Sequence, residues 1–212
     1  MTTKNKIIVT IGREFGSGGH EVGKRLANLL NINFYDKEFI KMTMEKTGFA
    51  EEYIKNNEEK APGFASNALF SGMDLYTLSP SDRIHEAEIK IIKKITAKES
   101  CVIVGRTADF LLKDQSHVSI FIFAPIEDRI KRKMALLDSS DARNITPAMM
   151  EKMIKQIDKQ RKRHYEYYTD NKWGSRDTYD LLINTQKTGI DGAVKIIKTY
   201  IDESRGESLM PD

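Results

Sequence analysis

The first residues in this sequence that could do chemistry are Gly16-Ser17-Gly18-Gly19. Without a Cβ, glycine lets the backbone turn tightly and come close to an anion. The run Ile7-Ile8-Val9-Thr10-Ile11 before them is apolar and β-branched, and Val22, Leu26, Leu29 and Leu30 after them fall on one helical face. The spacing predicts a buried strand, a glycine loop and an amphipathic helix. In that setting the unpaired N–H groups of a first helical turn, backed by the helix dipole, can hold a phosphate. Gly16, Ser17, Gly18, Gly19 and His20 are therefore expected at a phosphate site. The plainer alternative is a tight strand-to-helix turn.

The loop departs from the phosphate-binding pattern G-x-x-x-x-G-K-[ST]. With Gly18 as the second glycine, Arg13 stands at the first, Gly19 at the lysine and His20 at the Ser/Thr. The loop keeps its glycines but lacks the ammonium and the usual magnesium-binding hydroxyl. Arg13 is the expected substitute cation, since a guanidinium grips phosphate oxygens with two N–H groups. Ser17 is the candidate hydroxyl.

Further candidates lie at the carboxyl ends of other predicted strands, the edge at which open α/β sheets bind ligands. Asp36 follows Phe34-Tyr35 and could meet a ligand, cap the next helix, or both. Arg106 and Asp109 follow Cys101-Val102-Ile103-Val104 and suit an anion and a hydroxyl or Mg²⁺, against the alternative of a structural salt bridge. Arg129 and Arg132, three apart, share a helical face. Arg161 and Arg163 sit in a basic and aromatic run with His164, Tyr165, Tyr167 and Tyr168. Such a run is usually a solvated face, and it also suits stacking on nucleic acid. One short cluster in a chain of net charge +3 is a small footprint for nucleic acid, so a cover that brings arginines over phosphates fits better.

The remaining pattern positions these groups. Residues 37–61 read as two helices broken near Gly48, and residues 62–80 as an ordered, partly apolar flap. Ser79-Pro80-Ser81-Asp82 reads as a capped helix start, followed by the stripe Ile84, Ala87, Ile91, Ile95. Strands are expected at 101–104, 118–124 and 179–184. Helices are expected after Pro125 (Glu127 and Asp128 in the first turn), from Pro147 (Met149, Met150, Met153, Ile154 and Ile157 as its apolar side), and over Ile190 to Tyr200. Alternating strands and helices predict a parallel sheet flanked by helices. Two hundred and twelve residues allow one sizeable domain with an insertion. The single cysteine, Cys101, excludes an internal disulfide and reads as core. No apolar stretch approaches a membrane span, and MTTKNK lacks a signal-peptide apolar region, so a cytoplasmic protein without a membrane partner is expected. The four scattered histidines have no metal-ligand spacing.

The segments IGREFGSGGHEVGKRLA, FYDKE, VIVGRTAD, APIEDRIKRKM, Asp158-x-x-Arg161 and YDLLINT together resemble the cytidylate kinase-like proteins, relatives of the nucleoside monophosphate kinases. The resemblance runs from Ile7 to about Tyr200. It implies an α/β P-loop NTPase fold with a five-stranded parallel sheet. It implies a single domain over 1–212, with a core of about 1–36, 99–126 and 177–203. A helical monophosphate-binding insertion would occupy about 37–98 and a helical lid about 127–176. It further implies ATP and Mg²⁺, small nucleotide substrates, and phosphoryl transfer to an acceptor such as CMP. By position, Gly16 to His20 correspond to the ATP-phosphate loop. Asp36 and Arg106 correspond to the acceptor side, and Asp109 lies two residues beyond the family's Asp; read from the residues themselves, Asp109 is a further acceptor-side candidate and Ser17 or Asp109 would face the metal. Arg129 and Arg132 correspond to the basic lid-entry helix and Arg161 to a lid arginine; Arg163 and the substitute Arg13 join them as candidate catalytic cations from the residues themselves. Thr107 replaces the Asp of the family's Gly-Arg-Asp. The alternatives are a nucleotide-binding regulator and a kinase of another small metabolite.

Overall fold

The computed structural model describes residues 6–36, 38–57, 80–138 and 144–205. Five parallel strands, β1 (Ile8–Arg13), β2 (Asn33–Tyr35), β3 (Cys101–Val104), β4 (Val118–Phe123) and β5 (Leu181–Asn184), form one sheet in the order β2-β3-β1-β4-β5. The helices are α1 (Gly19–Leu30), α2 (Glu38–Thr47), α3 (Glu51–Asn57), α4 (Pro80–Lys98), α5 (Ala108–Leu111), α6 (Ile126–Met134), α7 (Pro147–Tyr168) and α8 (Thr185–Ser204). This is the sheet that the alternating pattern predicts.

The strands read as unbroken apolar runs because both faces of the sheet are covered. On one face Val22, Leu26 and Ala27 of α1 and Val194, Ile197 and Ile201 of α8 pack on Val9, Ile11, Val102, Val104, Ile120 and Ile122. On the other, Phe39 of α2 and Ile91, Ile92 and Ile95 of α4 pack on Ile8, Cys101 and Ile103. The 101–104 strand thus sends alternate side chains into two separate cores. Burial pushes the Cys101 thiol up to about 12, so it is an unreactive core residue.

The central strand fixes the working edge. β1 pairs with β3 on one side and β4 on the other, with Ile11 opposite Val104 and Arg13 opposite Ile122. The chain therefore leaves β1 where its neighbours diverge, the place at which open sheets take ligands.

Two local expectations are corrected. The last strand begins at Leu181, not Tyr179, because Asp180 closes its own link to β4: its carboxylate accepts from Ser119 N at 2.7 Å and Ser119 Oγ at 2.9 Å. On α7, Met150 and Ile154 are buried, but Met149 and Met153 are exposed. Only part of that stripe is covered. The flap read over 62–80 lies outside the described residues up to position 79, as does the Ser79 cap, and Pro80 opens α4. Among the described residues no helix is long and apolar enough to cross a membrane.

Candidate functional site

Gly16 and Gly18 hold the loop open with φ of 82° and 90°, a backbone that glycine adopts freely. Gly18 is the N-cap of α1. Within the loop, Glu14 N donates to Ile122 O, Ser17 N to Glu14 O, and Phe15 N to Asp158 Oδ1 at 2.7 Å. Among the described residues the N–H groups of Gly16, Gly18, Gly19 and His20 have no protein acceptor. Four amides at the start of one helix thus remain for an anion.

Ser17 stands differently from its expectation. The residue is fully buried and its hydroxyl donates to Glu14 O at 2.8 Å, so it braces the loop from inside. His20 is exposed, and its Nδ1 lies 2.5 Å from Asp36 Oδ2. Asp36 and His20 therefore form one pair where β2 ends and α1 begins.

The cations divide into two groups. Arg129 is largely buried and its charge is met within the protein: it pairs with Asp158, lies 3.5 Å from Glu14 Oε2, and donates to Phe15 O. It is a brace beneath the loop rather than an open phosphate ligand. Arg132 lies at the loop itself, its Nη1 donating to Gly16 O at 3.1 Å. Arg161 donates to Arg13 O and lies 5.6 Å from the centre of the Phe15 ring. Arg163, two residues on, is exposed and turned away from Arg161 by the helical repeat. It does not join the site.

Arg13, Arg106 and Arg161 line one cavity of about 20 Å³ at the carboxyl edge, with Asp109, His164, Tyr165 and Tyr179. The turn that delivers Arg106 is strained: Gly105, Arg106 and Thr107 have φ of 77°, 63° and 52° in succession. Consecutive left-handed residues other than glycine are costly and persist where the surroundings over-determine them. The surroundings here are a buried salt bridge, Arg106 Nη1 to Glu88 Oε1 of α4 at 2.9 Å. The two readings of Arg106, structural bridge and ligand-edge cation, meet in one residue. Asp109 accepts a hydrogen bond from the Tyr165 hydroxyl, and burial raises its pKa. It is not presented as an open metal ligand.

Beside the cavity, His85 of α4 is buried against α7, stacked on Tyr168 at 3.8 Å and edge-on to His164. Burial lowers its pKa to about 4, against the smaller pull of Asp82. Above pH 6.5 the ring is neutral in both folded and unfolded chains. As pH falls from 6.5 toward 4, only the unfolded chain takes the proton, so stability is lost. Urea unfolding should show a loss of about 2 kcal/mol between pH 7 and pH 5, and His85→Phe should remove that part of the slope.

Phe15, Asp158 and Glu88 hold the site together without having been assigned these roles from sequence. Asp158 was visible only as part of a motif, since a side chain that caps a loop 143 residues earlier leaves no local signal.

Residues 8–187 match the sequence model of the cytidylate kinase-like family. A cytidylate kinase of Saccharolobus islandicus is 24% identical over 201 residues, covering 92% of this chain and 90% of that one. The crystal structure of an uncharacterized protein from Eubacterium ventriosum superimposes with a TM-score of 0.67 at 31% identity, over 93% of this chain and 99% of the other. A shikimate kinase from Bacteroides thetaiotaomicron shares the fold at 13% identity, with a TM-score of 0.56 and coverage of 92% and 98%. With the glycine loop at the carboxyl edge of a 2-3-1-4-5 parallel sheet and the family match over most of its length, this chain belongs to the cytidylate kinase-like family.

Proposed function

We propose that this protein transfers the terminal phosphoryl group of ATP to a small acceptor in the cytoplasm, and that the acceptor is a nucleoside monophosphate such as CMP. The observation that carries this reading is the meeting of Arg13, Arg106 and Arg161 at one cavity, next to a loop with four unpartnered amides. Phosphoryl transfer needs in-line positioning and cancellation of charge more than covalent help. In this reading the amides of Gly16, Gly18, Gly19 and His20 with Arg132 hold the ATP phosphates, and Arg13, Arg106 and Arg161 hold the acceptor phosphate. The bond from the γ-phosphorus to the β–γ bridging oxygen breaks, and its electron pair leaves with ADP. An oxygen of the acceptor phosphate forms the new bond to phosphorus, giving a nucleoside diphosphate. The segment of α2 to α4 would form the acceptor side, and α6 with α7 the cover. The cavity holds about one water, so α7 must move away to admit an acceptor and return to exclude water.

Magnesium does not fit the residues first named for it. The Ser17 hydroxyl is buried, Asp109 accepts from Tyr165, and the described residues contain no group of three His, Cys, Asp or Glu side chains placed to hold a metal. No step of the mechanism is routed through a metal held by the chain.

The test is an acceptor panel with Mg·ATP, including nucleoside monophosphates and small hydroxylated metabolites. ADP formation dependent on a monophosphate supports the reading, and dependence on another metabolite redirects the acceptor. Calorimetric binding of ATP and CMP without product supports a non-catalytic nucleotide-binding protein, a reading favoured by the inward Ser17 hydroxyl. In the active case Arg161→Ala should lower turnover at least about tenfold, the scale of one lost charged contact in the transition state. An unchanged rate removes Arg161 from this role.

A further inference from the structure

The loop lacks its lysine, and a different element brings an ammonium beside the start of the loop. Lys133 of α6 is half-buried, with its Nζ 4.6 Å from the centre of the Phe15 ring. Its Cγ packs on Gly16, 3.1 Å from where a Cβ would stand there. Gly16 is one of the residues whose N–H has no protein acceptor. The neighbouring Arg132 reaches Gly16 O, and its Nη1 lies 2.7 Å from where a Cβ on Gly18 would be. Two consecutive side chains of α6 thus close on the two left-handed glycines.

The electrostatics are unbalanced. Among the described residues Lys133 has no carboxylate in ion-pair reach, whereas Arg129, one turn earlier, has two. Arg161 lies over the same Phe15 ring. Burial and then the Arg161 charge hold the Lys133 pKa below the usual lysine value. An ammonium partly removed from water beside a guanidinium, with no counter-charge, is unfavourable until an anion joins it. Arg13, the substitute suggested by sequence, is given in the reading above to the acceptor phosphate. Its Cβ and Cγ pack on Gly19, and it lines the cavity with Arg106 and Arg161.

We propose that Lys133 supplies to the terminal phosphates of the bound nucleotide the ammonium that the glycine loop lacks. The proposal rests on the ATP-binding reading above and names the residue that replaces the loop lysine in it. The loop then brings the amides and α6 brings the charge, so the cradle is complete only when α6 lies against the loop.

Calorimetry with ATP and with AMP, which lacks the terminal phosphates, tests it. Lys133→Met should weaken ATP binding at least about tenfold and leave AMP binding within about twofold, as expected for one lost charged contact. Lys133→Arg should keep most of the ATP affinity. Lys131→Met, which removes the same charge from an exposed position of the same helix, should bind as wild type. Unliganded Lys133→Met should melt no lower than wild type, since it relieves a repulsion. ATP affinity unchanged in Lys133→Met, or ATP and AMP weakened alike, overturns the assignment. Wild-type protein that fails to bind ATP overturns the ATP-binding reading itself, and is told apart from the first two results before any variant is made.

Discussion

Gly18→Ala is expected to weaken ATP binding about a hundredfold while the protein stays folded. Gly18 sits at φ 90° and ψ 6°, where an L-residue is strained by about 1–2 kcal/mol. Its new Cβ would also stand 2.4 Å from Ile190 Cδ1 and 2.7 Å from Arg132 Nη1. Ile190 can turn aside, but the guanidinium is displaced from Gly16 O or the loop shifts to keep it. Either change disturbs the amides and a cation of one cradle at once, and about 2.7 kcal/mol corresponds to the hundredfold loss. Gly48→Ala is the control: it has φ 71° with nothing within 4 Å of the added carbon, far along the chain from the loop. It should cost the same backbone strain of about 1–2 kcal/mol and leave ATP affinity unchanged. Calorimetry of both variants, with thermal melts to confirm folding, decides the matter. Wild-type affinity in Gly18→Ala would mean that the loop does not carry the phosphates.

The largest effect on stability is expected from Glu88→Ala. Glu88 and Arg106 are 1% and 3% exposed and bridged at 2.9 Å. Removing the carboxylate leaves a guanidinium in a buried place without its principal counter-charge, a change that costs about 3–5 kcal/mol. For a chain of this size that corresponds to a fall in melting temperature on the order of 10 °C. Glu88→Gln keeps an acceptor for the Arg106 N–H and should lie between the two. Since the bridge also holds the strained Gly105-Arg106-Thr107 turn, any residual activity should show a raised KM for the acceptor. A melting temperature within 2 °C of wild type would show that Arg106 has found another arrangement.

The sheet and its helices were legible because their signals are local. β-branched runs marked strands over 7–11, 101–104 and 118–124, which the structure has at 8–13, 101–104 and 118–123, and Pro125 and Pro147 marked the starts of α6 and α7 within a residue. The glycine loop was legible for the same reason, its flanks being part of the signal. The direction of a polar side chain is a tertiary matter and was not. Ser17 and Arg129 had the residue types of ligands, yet Ser17 turns inward to Glu14 and Arg129 meets Asp158 and Glu14. Arg163 shared a basic run with Arg161, but the two lie on different sides of α7. Lys133 could not be singled out within Lys131-Arg132-Lys133, because only the packing of Phe15 separates it from an ordinary solvated lysine. Glu88 looked like one more charged residue on an amphipathic helix until Arg106 was placed against it.

The hydroxyl of Thr185 donates to Ser17 O at 2.6 Å, and Ile190 closes on Gly18 from the same helix. The loop is synthesised well before two of the side chains that shape it, which follow some 170 residues further along the chain. During synthesis the early strand and helix must wait, their anion cradle unfinished, until β5 docks and α8 begins. Nascent chains stalled before residue 185 should therefore be blind to nucleotide even where most of the sheet has formed.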